Sequence, residues 1–185
     1  MERYRALSAY LKNRFGCKVY KLSLSAGCTC PNRDGTIGTR GCIFCSGSGE
    51  FAASDSADIS EQLEQAKWIL GKKAQGAKYI AYFQEFTNTY GSVSCLEPRF
   101  RAAIEPNDIV ALSIATRPDC LPEEILAMLA RLREKKPVMV ELGLQTIHEE
   151  TARYIRRGYP LSVFETAVQK LHALDLEVVA HMILG

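Results

Sequence analysis

Long apolar stretches are missing from this sequence. No run reaches the roughly 18 apolar residues that a membrane-spanning helix requires, so we predict no such helix. The opening MERYRALSAYLKNRF also lacks an apolar core followed by a small-residue cleavage site, and therefore does not resemble a signal peptide. We expect a cytoplasmic protein that makes no use of a membrane.

An excess of charge of one sign is also missing. Lys and Arg total 23 against 21 Asp and Glu, which leaves a formal net charge of +2. Such a balance gives no whole-chain argument for binding to nucleic acid or to a membrane surface. The apolar content of 47% and the length of 185 residues suit one globular domain, so we predict a single domain over residues 1–185.

Cysteine is present in an odd number, and its seven residues are unevenly placed. Cys17, Cys95 and Cys120 are scattered, whereas the others lie close together at Cys28, Cys30, Cys42 and Cys45. A reducing cytoplasm disfavours disulfide frameworks, so a tight group of thiols indicates metal or redox chemistry.

Short apolar runs rich in β-branched residues alternate with segments of helical periodicity. The runs predict strands at Val19–Ser25, Lys78–Phe83, Asp108–Ala115, Val138–Leu144 and Leu176–Leu184. The later strands follow one another at the spacing of βα units, so we predict an α/β fold with a parallel sheet.

Four helix starts are predicted from capping patterns or from a proline suited to a first turn. They are Asp58 with Glu61, Pro122, Thr146 with Glu149, and Ser162 with Glu165. Apolar residues at helical spacing predict the buried faces of three of these helices: Ile59, Leu63, Ala66 and Leu70, then Ile125, Leu129 and Leu132, then Phe164, Val168 and Leu171.

The cysteine group falls in a long loop, residues 26–50, between the first and second predicted strands. Pro31 and Gly35 interrupt it, and it begins where a strand ends, the edge at which βα folds collect their ligands. At the other end of the chain, HMILG closes the fifth strand with no covering helix, so we expect a fragment or a partner that completes the sheet.

Several metal sites are compatible with the thiol spacing alone. Cys42 and Cys45 form a Cys-x-x-Cys pair, and Cys30 adds a third thiolate, which suits an iron–sulfur cluster with one open iron. With Cys28 as a fourth ligand, the same loop could hold a structural zinc ion or a four-ligand cluster. The position of the loop inside a βα array, rather than in a separate small module, favours a cluster at an active site.

Five segments carry a resemblance to a known family: CPNRDGTIGTRGCIFC, ATRPDC, ELGLQT, RRGY and HMILG. They resemble the radical SAM superfamily, in particular its YhcC-like branch, which is related to the radical SAM half of the elongator acetyltransferase. The resemblance implies a partial TIM-like (β/α)6 barrel, here truncated after strand five. It also implies a [4Fe–4S] cluster on Cys30, Cys42 and Cys45, with Cys28 as a bystander, because this branch has a longer first interval than the common Cys-x3-Cys-x2-Cys.

The resemblance further implies which residues contact S-adenosylmethionine (SAM). They are Phe44, Gln84, Thr116, Gln145, Arg157 and His181. Gln84 stands where the family has a Gly-Gly-Glu-type motif, whose glycines this sequence lacks, and Arg157 matches an arginine that pairs with the SAM carboxylate. Glu141 and Asp119 are interpreted as structural partners.

The function implied by the resemblance is reductive cleavage of SAM. An electron from the cluster yields methionine and a 5′-deoxyadenosyl radical, which takes hydrogen from a substrate that is an RNA, a peptide or a small molecule. Kinship with the elongator enzyme suggests RNA modification, and a flavodoxin or ferredoxin is the expected electron donor. The alternatives are a zinc-binding protein or an electron-transfer iron–sulfur protein that uses Cys28, Cys30, Cys42 and Cys45.

Overall fold

The computed structural model describes residues 4–45 and 58–184. One sheet of five parallel strands is built in the sequential order β1-β2-β3-β4-β5, so each strand pairs with its neighbours in the chain. The strands are β1 (Val19–Leu24), β2 (Lys78–Phe83), β3 (Ile109–Thr116), β4 (Val138–Gln145) and β5 (Glu177–Met182). Sequential parallel pairing with crossover helices is the arrangement of a partial barrel.

Six α-helices and one short 3-10 helix accompany the strands in the described part of the chain. They are α1 (Leu7–Phe15), α2 (Ile59–Leu70), the 3-10 helix (Gly71–Ala74), α3 (Val93–Ile104), α4 (Glu123–Arg133), α5 (Glu149–Tyr154) and α6 (Leu161–Ala173). None of the helices in the described segments has the length and apolar character that crossing a bilayer would require.

The main hydrophobic core lies between the outer face of the sheet and the helices α2, α3, α4 and α6. Alternate strand residues such as Leu22, Phe83 and Leu112 point into it because side chains in a strand alternate between the two faces. At its centre Phe83 and Phe100 make an edge-to-face contact, with ring centroids 4.8 Å apart.

The inner face of the sheet has a second, smaller core. Leu11 of α1 packs there against Val19, Ile80, Ala111 and Met139, residues near the beginnings of four strands. Helix α1 therefore closes the amino-terminal end of the partial barrel, and the carboxyl ends of the strands are left to form a cavity.

The predicted α/β fold and the five strands are confirmed, with small shifts at their ends. β3 runs from Ile109 to Thr116 rather than from 108 to 115, and β4 extends to Gln145. The fifth strand is shorter than predicted, since it covers only Glu177–Met182. The last five residues of the predicted cysteine loop, 46–50, lie outside the described residues.

The predicted helix starts hold at α2 and α4, although the capping box at α2 is wrong. Asp58 precedes α2, but its carboxylate accepts a hydrogen bond from the N–H of Ile59, 2.8 Å away, in place of a reciprocal arrangement with Glu61. Pro122 immediately precedes α4, whose first residue is Glu123. The predicted inward faces of α2, α4 and α6 all pack on the main core.

The predicted starts at Thr146 and Ser162 are wrong. Helix α5 begins at Glu149, and the Thr146 hydroxyl accepts from the N–H of His148, 3.2 Å away. Helix α6 begins at Leu161, so Ser162 lies within its first turn. The start of α6 is set by a residue of another helix. The carboxylate of Glu149, in α5, accepts a hydrogen bond from the N–H of Leu161, 2.9 Å away, and so caps α6.

Helices α1 and α3 are not predicted by the sequence patterns. Only Leu11 of α1 is buried, so that helix shows little amphipathic pattern. Helix α3 contains Pro98, a residue that normally argues against a helix interior. Both helices form because their apolar residues meet the sheet, which is a tertiary contact rather than a local preference.

Truncation of the core aromatic on α3 tests this packing. We expect Phe100→Ala to lower the free energy of unfolding by roughly 3–5 kcal/mol, because it empties a fully buried site against Phe83. Urea denaturation followed by circular dichroism measures the loss. The matched control is Trp68→Ala on α2, where the ring is 83% exposed and little change is expected. Equal losses in the two variants would contradict the assignment of the core.

Candidate functional site

A cavity of about 310 Å³ opens at the carboxyl ends of strands β2 to β5. All nine residues predicted to hold the cluster or SAM line it: Cys30, Cys42, Phe44, Cys45, Gln84, Thr116, Gln145, Arg157 and His181. They come from segments far apart in the chain, and the topology brings them together because all five parallel strands end at the same edge. Cys28 is not among the lining residues.

The cysteine loop is held by a turn directly after Cys30. The carbonyl of Cys30 accepts from the N–H groups of Arg33 and Asp34, at 2.8 and 3.1 Å. Asn32 then joins the loop to the rest of the protein, since its amide donates to the carbonyl of Arg156 at 2.7 Å and to the sulfur of Cys42 at 3.4 Å. The loop is thereby anchored to the end of α5.

Gly41 permits close approach within the loop. It has a φ of +67°, and an added Cβ would lie 3.0 Å from Nε of Arg33. Arg33 in turn donates to the carbonyl of Cys45, 3.1 Å away, so its side chain spans the loop. Both observations explain why the residue before Cys42 is a glycine.

The three cysteines that border the cavity offer thiolates, the donor groups that iron–sulfur clusters require. Within residues 4–45 and 58–184, no three His, Cys, Asp or Glu side chains are grouped closely enough to hold one metal ion. Burial raises the pKa of Cys42, with the Asn32 hydrogen bond acting in the opposite direction, and a coordinated iron would reverse that shift.

The floor of the cavity is a network of charged and polar groups on the inner face of the sheet. Its centre is Glu141, whose side chain is 1% exposed. The carboxylate bonds to Lys21, to the hydroxyl of Ser113 and, at 2.6 Å, to Nε2 of His181. Burial alone would raise the pKa of Glu141, but the hydrogen bonds from His181, Lys21 and Ser113 outweigh it and lower the pKa to about 2.

Tyr82 completes this floor. The ammonium group of Lys21 lies 4.0 Å from the centre of the Tyr82 ring, a cation–π contact. Burial, assisted by the negative charge of Glu141, raises the pKa of Tyr82 well above its ordinary value, so its hydroxyl stays protonated. The inner face therefore changes from apolar at α1 to charged beneath the cavity.

Arg157 has a different environment from the one the resemblance implies. Its side chain is 1% exposed, and four of its N–H groups donate to the carbonyls of Leu144, Thr146 and Tyr159 and to the carboxylate of Glu149. These bonds fasten the segment that follows β4. Although Arg157 borders the cavity, the geometry favours a structural role for it.

The side chains of the other residues predicted to contact SAM differ in whether they already form hydrogen bonds within the protein. The side-chain oxygen of Gln84 lies 3.3 Å from the hydroxyl of Ser23, whereas the hydroxyl of Thr116 is buried and bonds to that of Thr89. Gln145 has a φ of +63°, which is costly for a residue with a side chain and is typical of functional sites.

Several residues that line the cavity are not among the predicted SAM or cluster contacts. Glu141 was interpreted as a structural partner only, and Tyr82, Arg117 and Tyr159 were not assigned, yet all four line the cavity. Arg117 makes a bidentate ion pair with Asp119, and its guanidinium carbon lies 4.8 Å from the centre of the Tyr159 ring. A period of two along β2 and β4 would have found Tyr82 and Glu141, since each precedes a predicted contact on the same strand face.

Comparison with known proteins agrees with this geometry. The family model of the radical SAM superfamily matches residues 33–185. The chain belongs to the radical SAM superfamily. Two similar proteins are the uncharacterized protein YtqA of Bacillus subtilis, 44% identical over 186 residues, and protein YhcC of Escherichia coli, 38% identical over 178 residues. The YhcC-like resemblance is thus confirmed. The match covers 100% and 95% of this chain, but only 58% and 56% of those two relatives.

Two solved radical SAM structures share the fold. The archaeal Elp3 of Methanocaldococcus infernus has a TM-score of 0.60 at 20% identity, over 90% of this chain and 38% of its own. The cobalamin-dependent radical SAM enzyme OxsB has a TM-score of 0.58 at 15% identity, over 88% of this chain and 23% of its own. These likenesses confirm the partial radical SAM barrel that the sequence predicts.

The ionised state of Glu141 predicts a pH dependence of stability. Its folded pKa of about 2 lies below its ordinary value of 4.5, so its contribution is present above pH 4.5 and is lost as the pH falls toward 2. We expect the free-energy difference between the parent protein and Glu141→Gln to shrink over that window. Urea titrations at successive pH values measure it. Glu124→Gln, on the surface of α4, is the control, and a constant difference for Glu141→Gln would contradict the assignment.

The hydrogen bonds of Arg157 predict a large stability effect. Arg157→Gln leaves buried carbonyls without donors, so we expect a loss of about 2–4 kcal/mol in the free energy of unfolding. The adjacent Arg156→Gln is the control: Arg156 is exposed, and about 0.5 kcal/mol or less is expected there. Thermal and urea unfolding measure both variants. A stable Arg157→Gln protein would instead support a direct role for Arg157 in binding.

Proposed function

We propose that this chain holds a [4Fe–4S] cluster on Cys30, Cys42 and Cys45 and binds SAM in the adjoining cavity, as the catalytic part of a radical SAM enzyme. The observation that carries the proposal is that the three thiols border the same cavity as the six residues expected to contact SAM. Family membership supports the class of chemistry, and the cavity supports the choice of residues.

The three cysteines fit such a cluster by their donor chemistry. Each thiolate would ligate one iron, so the three cysteines would leave one iron of the cluster without a protein ligand. Once bound, the cluster and SAM supply the electron transfer and the 5′-deoxyadenosyl radical that abstracts hydrogen from the substrate. The chain itself positions these groups and limits the access of water to them.

Different cavity residues would contact SAM or support its site in different ways. Phe44, between two cysteine ligands, offers an aromatic surface beside the cluster, and Gln84 and Gln145 offer amide groups at the ends of β2 and β4. His181 presents a partly exposed imidazole, one nitrogen of which is bound to Glu141. Arg157 and Thr116 contribute by fixing the surrounding backbone, because their polar groups are already engaged.

This chain spans a little over half the length of its curated relatives. The activity of the whole protein is therefore a separate proposal. We propose a cytoplasmic enzyme reduced by a flavodoxin or ferredoxin, with RNA as its substrate class on the strength of the kinship with elongator-type enzymes. A peptide or a small molecule as substrate is the competing outcome. Stimulation of 5′-deoxyadenosine formation by total tRNA, compared with peptide mixtures and metabolite extracts, distinguishes them.

Replacement of single cysteines tests the ligand assignment. After anaerobic reconstitution with iron and sulfide, we expect Cys30→Ser, Cys42→Ser and Cys45→Ser each to lose the cluster, because each removes one of its protein ligands. Cys28→Ser should keep it, since Cys28 does not border the cavity. Iron content and the electron paramagnetic resonance spectrum of the reduced protein, with and without SAM, are the measurements.

The same series separates this proposal from its alternatives. A spectrum that changes on addition of SAM, together with formation of 5′-deoxyadenosine, supports a radical SAM enzyme. Stoichiometric zinc, or a cluster that needs Cys28 and ignores SAM, would instead indicate the zinc-binding or electron-transfer protein. Cys95→Ser, an exposed cysteine on α3, is a control that should leave the metal content unchanged.

A further inference from the structure

A polar layer crosses the inner face of the sheet below the cavity. Lys21 of β1, Ser113 of β3 and His181 of β5 all meet there at the carboxylate of Glu141 on β4. Oxygen Oε1 accepts from the Lys21 ammonium and from the Ser113 hydroxyl, whereas Oε2 lies 2.6 Å from Nε2 of His181. Four of the five strands are therefore joined through one buried side chain.

Small residues leave space for a ligand above this layer. Ala115 and Gly143 follow Ser113 and Glu141 by two positions, so they lie on the same face of the sheet, one step closer to the strand ends. Both line the cavity. A Cβ at position 143 would lie 3.2 Å from the hydroxyl of Tyr159, so a side chain there would crowd the cavity. A ligand in the cavity can consequently reach down to the polar layer.

His181 is the member of the layer with the most access to a ligand. Its side chain is 43% exposed, against 25% for Lys21 and 1% for Glu141. Among the residues that the structure describes, Glu141 is the one hydrogen-bond partner of the imidazole, and it engages Nε2. The other ring nitrogen, Nδ1, is therefore left for a ligand in the cavity that His181 lines.

The Glu141 carboxylate determines which nitrogen of His181 carries the hydrogen. An ionised carboxylate can only accept hydrogen bonds, so Nε2 must be the protonated nitrogen of the neutral ring. Lys21 and Ser113 both donate to the carboxylate, which favours its ionised form and fixes its orientation. Nδ1 of the neutral ring then has a lone pair, and His181 meets the ligand as a hydrogen-bond acceptor.

A fixed acceptor suits a ligand group that donates a hydrogen bond. The nucleoside of SAM offers such donors in the hydroxyl groups of its ribose and in the amine of its adenine. The cavity amides of Gln84 and Gln145 are less selective, because a side-chain amide can turn to donate or to accept. A histidine held in one tautomer therefore adds a preference that these amides do not provide.

We propose that Glu141 is a positioning residue, which holds His181 as the tautomer with an unprotonated Nδ1, so that this nitrogen accepts a hydrogen bond from the nucleoside of SAM. The inference rests on the proposed function, since it requires SAM to bind in this cavity. Glu141, whose side chain is 1% exposed, acts through His181. Lys21 and Ser113 act one step further away, through Glu141.

Nuclear magnetic resonance measures the tautomer directly, before any SAM is added. In the full-length protein at about pH 9, above the ordinary titration range of imidazole, we expect nitrogen–proton correlation spectra to show His181 protonated at Nε2 alone. His181→Gln assigns its signals, and the exposed His148 and His172 serve as references for a solvated ring. Glu141→Gln should give a mixture of tautomers, because the new amide can accept or donate. A mixture already present in the parent protein would overturn the proposal.

The affinity for SAM is the functional measurement. In the reconstituted full-length protein we expect Glu141→Gln to weaken SAM binding about tenfold, because one oriented hydrogen bond is lost. Equilibrium dialysis with the cluster oxidised measures binding without turnover. Glu141→Asp, which keeps the negative charge, should restore part of the affinity. Glu124→Gln, on the exposed surface of α4, is the matched control and should bind SAM as the parent protein does.

Combination with His181→Gln separates positioning from a purely structural role. If Glu141 acts through His181, the Glu141→Gln/His181→Gln protein should bind SAM no more weakly than His181→Gln alone. Ser113→Ala removes a different partner of Glu141, so it should lower the free energy of unfolding and leave the His181 tautomer unchanged. If Glu141→Gln does not fold, Lys21→Met/Glu141→Gln removes both charges of the buried pair and carries the same measurements.

Two SAM analogues identify the donor group. One analogue lacks the ribose hydroxyl groups, and the other lacks the amine of the adenine. The donor to His181 is the group whose removal makes the parent and the Glu141→Gln proteins bind equally well. An undiminished difference with both analogues would overturn the assignment to the nucleoside.

The remaining outcomes distinguish this inference from the proposed function. Equal SAM affinity in the parent and the Glu141→Gln proteins would overturn the positioning role of Glu141. Additive losses in the Glu141→Gln/His181→Gln protein would do the same, because Glu141 would then act independently of His181. A parent protein that binds no SAM with its cluster in place would overturn the proposed function itself.

Discussion

Arg157 is a fully buried cation whose hydrogen bonds connect most of the site. Its guanidinium binds the carbonyls of Leu144 and Thr146, which follow β4, and the Glu149 carboxylate that also caps α6. Without these partners a charge so deeply buried would be very costly, so the bonds form together. The backbone around Arg157 continues the connection, because the carbonyl of Arg156 accepts from Asn32 in the cysteine loop.

The cysteine loop thus depends on a residue more than a hundred positions away. The carbonyl of Arg157 accepts from Arg117 at the end of β3, so β3, β4, α5 and the loop are joined at one point. Such rigidity suits a ligand-binding cavity, because the groups that line it are held in a fixed geometry. In this protein the rigidity is provided by hydrogen bonds to main-chain carbonyls.

The inner face of the sheet is divided along the strands. Toward their beginnings, Leu11 of α1 packs on apolar residues, and toward their ends Glu141 gathers Lys21, Ser113 and His181. The apolar half stabilises the barrel and the charged half forms the floor of the cavity. An ionised carboxylate with this many partners is typical of a site with a chemical role rather than of a packing core.

Two surfaces of the loop have different characters. The side toward the cavity presents thiols, amides and aromatic rings, whereas the outer side presents Arg153 and Arg156 among exposed apolar residues.

Much of the architecture was predictable from the order of residues. The strands follow from their β-branched apolar runs and the buried helix faces from helical spacing, whereas thiol spacing and family resemblance give the three cysteine ligands only as a proposal. Each of these signals is local, because it is written in neighbouring positions or in a short motif. The helices α1 and α3 were not predictable in this way, since α1 has only one buried residue and α3 contains Pro98.

Tertiary structure decided the roles of individual polar residues. Glu149, rather than Ser162, caps α6. Arg157 donates hydrogen bonds to backbone carbonyls, and Glu141 lies at the centre of the cavity floor. None of these roles is visible in one dimension, because each requires partners from other elements at hydrogen-bond distance. The sequence by itself determined which elements form and which chemistry the cysteines suit, whereas only the folded sheet, by bringing distant strand ends to one edge, decided which side chains meet there.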